Sequence, residues 1–226
     1  MGRQPAAGGG RWVEIPPERL ERWFAGFADR HGGIGGVERD PDLRFLSVLG
    51  VDGALAECHP AFPPLAGDGD PLPALVAHAA RARRVGVLLV RLGGYAAGIF
   101  DGATLVASKV DSRLVHGRNK AGGQSAQRFA RRREGQARQL TDAAAAVAER
   151  ILLPEVKTLD AVVLGGDRAA VEAALAAPPL APLRALAVDR FLTVPDPRLA
   201  VLQAAPDAFR ATRIRVVDAG DRLTRG

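Results

Sequence analysis

From residue 85 three short segments follow one another closely, VGVLLVR, YAAGIF and TLVASKV. Turn residues separate them, and Asp101-Gly102 is a strong hairpin signal. Strands this close in sequence pair as an antiparallel meander. The pattern then changes period. A long helix is expected from about Ala126 to Leu153, stopped by Pro154, which has no N–H to continue it. LDAVVLGG reads as a short buried strand and DRAAVEAALAA as a helix, and RALAVDRFL and RIRVVDAG as further strands around a helix near 197–204. A meander followed by alternating helices and strands predicts an α/β fold with a mixed sheet and packed helices.

The segment before residue 85 has its own pattern. PPERLERWFAGFADRHGG predicts a helix, with proline at its start and Leu20, Trp23, Phe24 and Phe27 along one face. LRFLSVLGVDGALAECH predicts two strands around Asp52-Gly53, PAFPPLAGDGDPLP a loop, and ALVAHAARARR a helix. HGGIGG follows a helix rather than a strand, so it reads as a turn and not as a nucleotide loop. These patterns predict a disordered tail over 1–10, an α+β extension over 11–84 packed on the main domain, and a catalytic domain over 85–226. No stretch approaches the length of a membrane span, and MGRQPAAGGGR lacks the apolar region of a secretory signal. Cytoplasmic residence is the expectation. Cys58 is the only cysteine and the four histidines have no ligand spacing, so neither a metal nor another cofactor is expected.

Charge narrows the function further. The chain carries +6, yet residues 109–138 hold nine basic residues against Asp111 and Glu134, leaving −1 for the rest. Clustering of this kind points to a polyanion such as nucleic acid. Within it lies HGRNKAGGQSAQRFARRRE, residues 116–134. The spacing of Gly117 and Gly122 imitates a phosphate-binding loop. Gly123 and Gln124, however, stand where the lysine and hydroxyl would be needed, which excludes a nucleotide hydrolase. Gly122 and Gly123 let backbone approach a ligand without a Cβ in the way. With Ser125 as N-cap, the Gln124 peptide meets the positive end of the following helix, where backbone N–H groups stabilise charge developing on oxygen. That is equipment for cleaving an already activated ester. About 28 helical residues would span roughly 40 Å. The apolar stripe of Phe129, Leu140, Ala143, Val147 and Ile151 is dense only after Leu140, so the arginine-rich half would stand out in solvent.

HGRNKAGGQSAQRFARRRE resembles the loop and helix in the middle domain of eukaryotic and archaeal class-1 termination factors. The likeness covers about residues 85–218, with VLGG in the corresponding later strand. A free-standing copy with an extra N-terminal segment is similar to the Vms-like release factor (VLRF) family of peptidyl-tRNA hydrolases. The resemblance implies an RNase H-like, release-factor middle-domain-like topology, with the Gly-Gly-Gln loop at the N-terminus of the basic helix. It implies cleavage of peptidyl-tRNA on stalled or split ribosomes, at the peptidyl-transferase centre of the large subunit; codon-independent action is expected from the chain's length, and a monomer is expected. Gly122 and Gly123 would shape the loop, and Gln124 would coordinate water and the leaving 3′-oxygen. Lys109, His116, Arg118, Lys120, Arg128, Arg131, Arg132 and Arg133 would contact rRNA or tRNA. Eukaryotic Vms-like members carry looser Gly-x-x-Gln loops, and this chain keeps both glycines. In length it has no room for the codon-reading and factor-binding domains of termination factors. The rival reading is a non-catalytic ribosome- or RNA-binding factor docking through the basic helix. A nuclease would need clustered carboxylates, and Asp101 and Asp111 make a poor set.

Overall fold

A computed structural model describes residues 4–5, 9–65, 69–112 and 126–220. The chain divides into two units, Met1–Arg81 with Pro206–Gly226, and Ala82–Ala205. The first begins with β1 (Gln4–Pro5), β2 (Arg11–Ile15), α1 (Pro17–Arg30) and β3 (Ile34–Arg39), followed by β4 (Leu46–Gly50), β5 (Leu55–His59) and α2 (Pro71–Ala80). Pro17 opens α1, where a missing N–H is harmless, with Glu18 in the first turn and Arg30 in the last to suit the helix dipole. Leu20, Phe24 and Phe27 of α1 form one core with Leu46 and Val48 of β4 and Ala56 and Cys58 of β5. Those strand positions alternate, so one sheet face is apolar.

Three expectations need adjustment in this unit. Helix α2 starts at Pro71, earlier than expected, because Asp70 caps it by accepting from the Leu72 N–H and the prolines sit in its first turn. HGGIGG is only half a turn: Gly32 and Gly33 end α1, and Gly35 and Gly36 belong to β3, which shifts register against β4 between Ile34 and Gly36. Within the tail expected to be disordered, Gln4 and Pro5 pair with Trp12 and Arg11.

Burial pushes the Cys58 thiol far above its ordinary range, and the neighbouring Glu57 charge adds to this. The thiol therefore stays protonated and inert. Cys58 should resist a thiol-titrating disulfide reagent at neutral pH and react once urea unfolds the protein. Fast labelling of the native chain would contradict its place in the core.

The second unit is built on β6 (Arg84–Arg91), β7 (Gly94–Asp101) and β8 (Thr104–Ser112), the expected antiparallel meander. Helix α3 (Ala126–Ile151) follows, and Pro154 sits in the short 3-10 turn just beyond it. β9 (Ala161–Gly166) lies parallel to β6, and after α4 (Arg168–Leu175) and α5 (Ala181–Ala185) comes β10 (Ala187–Leu192), parallel to β9. The order is β10-β9-β6-β7-β8, a mixed sheet as expected. Leu140, Ala144, Val147 and Ala148 of α3 pack with Leu88, Ile99 and Val162 of the sheet and Val171 of α4. Arg84, at the start of the central strand, ties that end of the sheet together, reaching Asp101 at 2.7 Å and Glu155 at 3.1 Å.

After α6 (Leu199–Gln203) the chain passes into the first unit at Pro206, within α7 (Ala205–Phe209), and ends there in the last strand, β11 (Thr212–Val217). It pairs antiparallel with both β2 and β5, so that Ile214 faces Val13 on one side and Cys58 on the other. The first sheet then reads β1-β2-β11-β5-β4-β3. This corrects the expected division at residue 85. RIRVVDAG is a strand, as its alternation suggests, but its apolar face completes the N-terminal core with Ile214 and Val216.

Candidate functional site

The Gly-Gly-Gln stretch falls between β8 and α3. Gly122, Gly123 and Gln124, with His116, Arg118 and Lys120, lie outside the described residues. What the structure supplies is the two roots of this segment. On one side β8 ends at Ser112, and on the other α3 begins at Ala126, the start read from the sequence.

Lys109 pairs with Ala97 across the meander, so both point to the same sheet face. Ala97 belongs to the core that α3 covers, which brings Lys109 to the α3 side of an edge strand, exposed to solvent. Two residues on, Asp111 faces Tyr95 and accepts a hydrogen bond from its phenol at 3.2 Å. Tyr95 is itself buried beneath α3, so it ties the last rungs of β8 to the core. Sequence reasoning counted Asp111 as an acid in a basic run and weighed it with Asp101 as a carboxylate pair, because its Tyr95 partner is visible only once the strand register is known.

Arg128, Arg131, Arg132 and Arg133 fall in the first turns of α3. Positions 128, 131 and 132 are spaced three and four apart, on one side of a helix. From Glu134 to Gln139 the helix stays at the surface, and full burial begins at Leu140. The expected packed half from Leu140 onward is therefore present, while the side chains of the arginine-rich first turns lie outside the described residues. Leu140 and Val147 of the expected stripe are buried, Ala143 and Ile151 pack at its border, and Ala144 and Ala148 join them. Phe129 lies outside the described side chains.

The packed half is held beside α4. Asp167 caps α4 by accepting from the Ala170 N–H at 3.0 Å, and its own N–H bonds the Val90 carbonyl at 2.8 Å. Just before it Gly166 has φ +103°, and a Cβ there would stand 2.1 Å from the Val90 carbonyl oxygen. The glycines of VLGG thus serve this strand-to-helix passage.

The geometry keeps Asp101 and Asp111 apart. Asp111 lies opposite Tyr95 and Asp101 ends the same strand, six residues further along, about 20 Å at strand rise. No group of three or more metal-ligating side chains occurs among the described residues. Nor is any helix among the described residues long and apolar enough to cross a membrane.

The family model for the Actinobacteria/Chloroflexi VLRF1 release factor matches residues 83–215, beginning at the edge of the second unit and ending within β11. No curated protein matches. Among solved structures, the chain is similar to a Vms1 mitochondrial localization core at 9% identity, covering 87% of this chain and 80% of that one, with a TM-score of 0.43. It is also similar to the archaeal translation termination factor aRF1 at 14% identity and a TM-score of 0.40, covering 84% of this chain. The match spans 61% of the archaeal factor's length.

Proposed function

We propose, on the premise that this chain belongs to the Actinobacteria/Chloroflexi VLRF1 release factor family, that it is a codon-independent peptidyl-tRNA hydrolase. It acts on nascent peptides left on stalled or split ribosomes, within the peptidyl-transferase centre of the large subunit. The observation that carries this reading is the sequence Gly122-Gly123-Gln124 directly ahead of a helix that begins at Ala126 and whose packed half starts only at Leu140. A 26-residue helix is about 39 Å long. The part of the helix ahead of Leu140 has the reach to carry a small, glycine-rich tip into a channel lined with phosphate.

The chemistry needs little from the protein. An aminoacyl ester is already activated, and Gln124 together with backbone N–H groups at a helix start would orient water and stabilise the leaving 3′-oxygen. Gly122 and Gly123 keep side chains out of that approach. Lys109, His116, Arg118, Lys120, Arg128, Arg131, Arg132 and Arg133 would meet rRNA and tRNA phosphates, giving a steep salt dependence. No cofactor enters this scheme, and the protein works as a cytoplasmic monomer. The strand order β8-β7-β6-β9-β10, a meander extended by two parallel strands, supports the RNase H-like topology that the resemblance implies.

The test is release of peptide from peptidyl-tRNA held by isolated large subunits, and by matched ribosomes with a stop or a sense codon in the decoding site. Release from all three at similar rates is expected. A strong stop-codon preference without added factors would sink codon independence and make the first unit a codon reader. No release from any of them, with binding intact, would favour the docking factor.

A further inference from the structure

An open groove of about 430 Å³ lies in the second unit beside α3 at Ala137 to Thr141, where the packed part of the helix begins. Its apolar lining comes from Leu92, Ala137, Leu140, Ala169 and Ala173. Leu92, in the two-residue turn between β6 and β7, is 69% exposed. That leucine is not on a loose loop. Beside it the Arg91 guanidinium donates to the Val194 carbonyl at 2.7 Å. Gly93 lies so close to Asp196 that a Cβ would stand 2.7 Å from its carboxyl carbon. A large apolar side chain is thus fixed at the surface beside a wall of methyl groups.

The polar lining is equally specific. Arg138 and Asp167 face the groove, the first exposed on α3 and the second at the start of α4. Arg138 closes the basic run. Positions 128, 131 and 138 fall on one helical stripe, since three and seven residues are close to one and two turns. Between them stands Gly135, which adds no side chain. A phosphate chain following this stripe is led to the groove, about 18 Å from the start of α3 along the helix axis.

We propose that the groove seats one unpaired nucleobase of the RNA along which α3 docks. This rests on the reading of α3 as an RNA-docking helix. A base is flat and apolar on its faces, which suits methyl walls and Leu92. Its edge carries donors for the Asp167 carboxylate, and a guanidinium such as that of Arg138 stacks on bases or holds the adjoining phosphate. The site positions RNA and lies apart from the ester.

Binding of the full chain to a short single-stranded oligoribonucleotide, and to the same backbone with its central nucleotides abasic, tests this. The base-bearing strand should bind about 10-fold more tightly. Leu92→Ser and Ala169→Phe, both at exposed positions, should each bring that ratio close to unity without weakening the abasic strand. Equal affinity for the two strands, with steep salt dependence kept, would overturn the groove and leave docking through α3 standing. A ratio that neither variant changes would overturn it too, leaving the groove to a protein contact. Absence of binding to either strand would overturn both the groove and the docking reading beneath it.

Discussion

Replacing Gln124 with alanine should lower peptide release about 10²–10³-fold, the usual cost of removing one well-placed donor at developing negative charge. Gly123→Ala should lose about as much by misplacing the loop, since small displacements of a catalytic group cost about 10²-fold. Neither change should alter unfolding. The described core of the second unit is assembled from the sheet, from α3 at and beyond Leu140, and from α4 and its successors. The informative readout is therefore release by single turnover on large-subunit peptidyl-tRNA, with urea unfolding and subunit binding as controls. Full release by Gln124→Ala would remove the catalytic assignment and leave a docking protein. Lost release accompanied by lost binding would instead mean that the loop is a docking element.

The second large effect lies far from the loop. Gly166→Ala should destabilise the second unit by about 3 kcal/mol or more, because two penalties fall together. At φ +103° an L-residue is strained whatever the space around it, and here the new methyl would stand 2.1 Å from the Val90 carbonyl oxygen. That oxygen cannot swing aside, since Val90 is paired with Gly166 in the β6–β9 ladder and accepts from the Asp167 N–H. Gly165 is nearly as confined, since a methyl added there would stand 2.8 Å from atoms of Leu192 and Leu89. Urea unfolding would measure the loss. A change for Gly166→Ala within about 0.5 kcal/mol, the scatter of ordinary surface substitutions, would show that the passage from β9 to α4 can relax.

Local pattern carried the second unit a long way. The meander, the start of α3 at Ala126, its end at Ile151 shortly before Pro154 and the strand containing VLGG are all set by neighbours in sequence: a turn, a proline, an apolar period. The first unit was harder, and the reasons are physical. β2 is held by β11 through pairs such as Trp12 with Arg215, two hundred residues apart, and nothing local encodes such a partner. β3 begins with glycine-rich IGGVER, weak by strand propensity and shifted in register against β4. RIRVVDAG announces a strand without saying which sheet will take it. At the candidate site, Gly122, Gly123, Gln124 and the arginines are proposed from residue order, and Gly122 to Gln124 lie outside the described residues. The Tyr95–Asp111 tie and the groove beside Leu92 arise from strand register and from the packing of α4 against α3, which residue order does not reveal.

The place of β11 has a consequence for synthesis. A chain leaving the ribosome usually completes its domains from the N-terminus onward. Here Ala82–Ala205 is continuous and can close on itself as soon as its own residues have emerged. The first unit cannot, because β11 fills the gap between β2 and β5. Until it arrives, β2 and β5 each present an open edge, the kind of surface that recruits foreign strands. The unit that begins first is therefore finished last, and a chain interrupted before residue 212 would carry a complete α3 scaffold beside a split sheet.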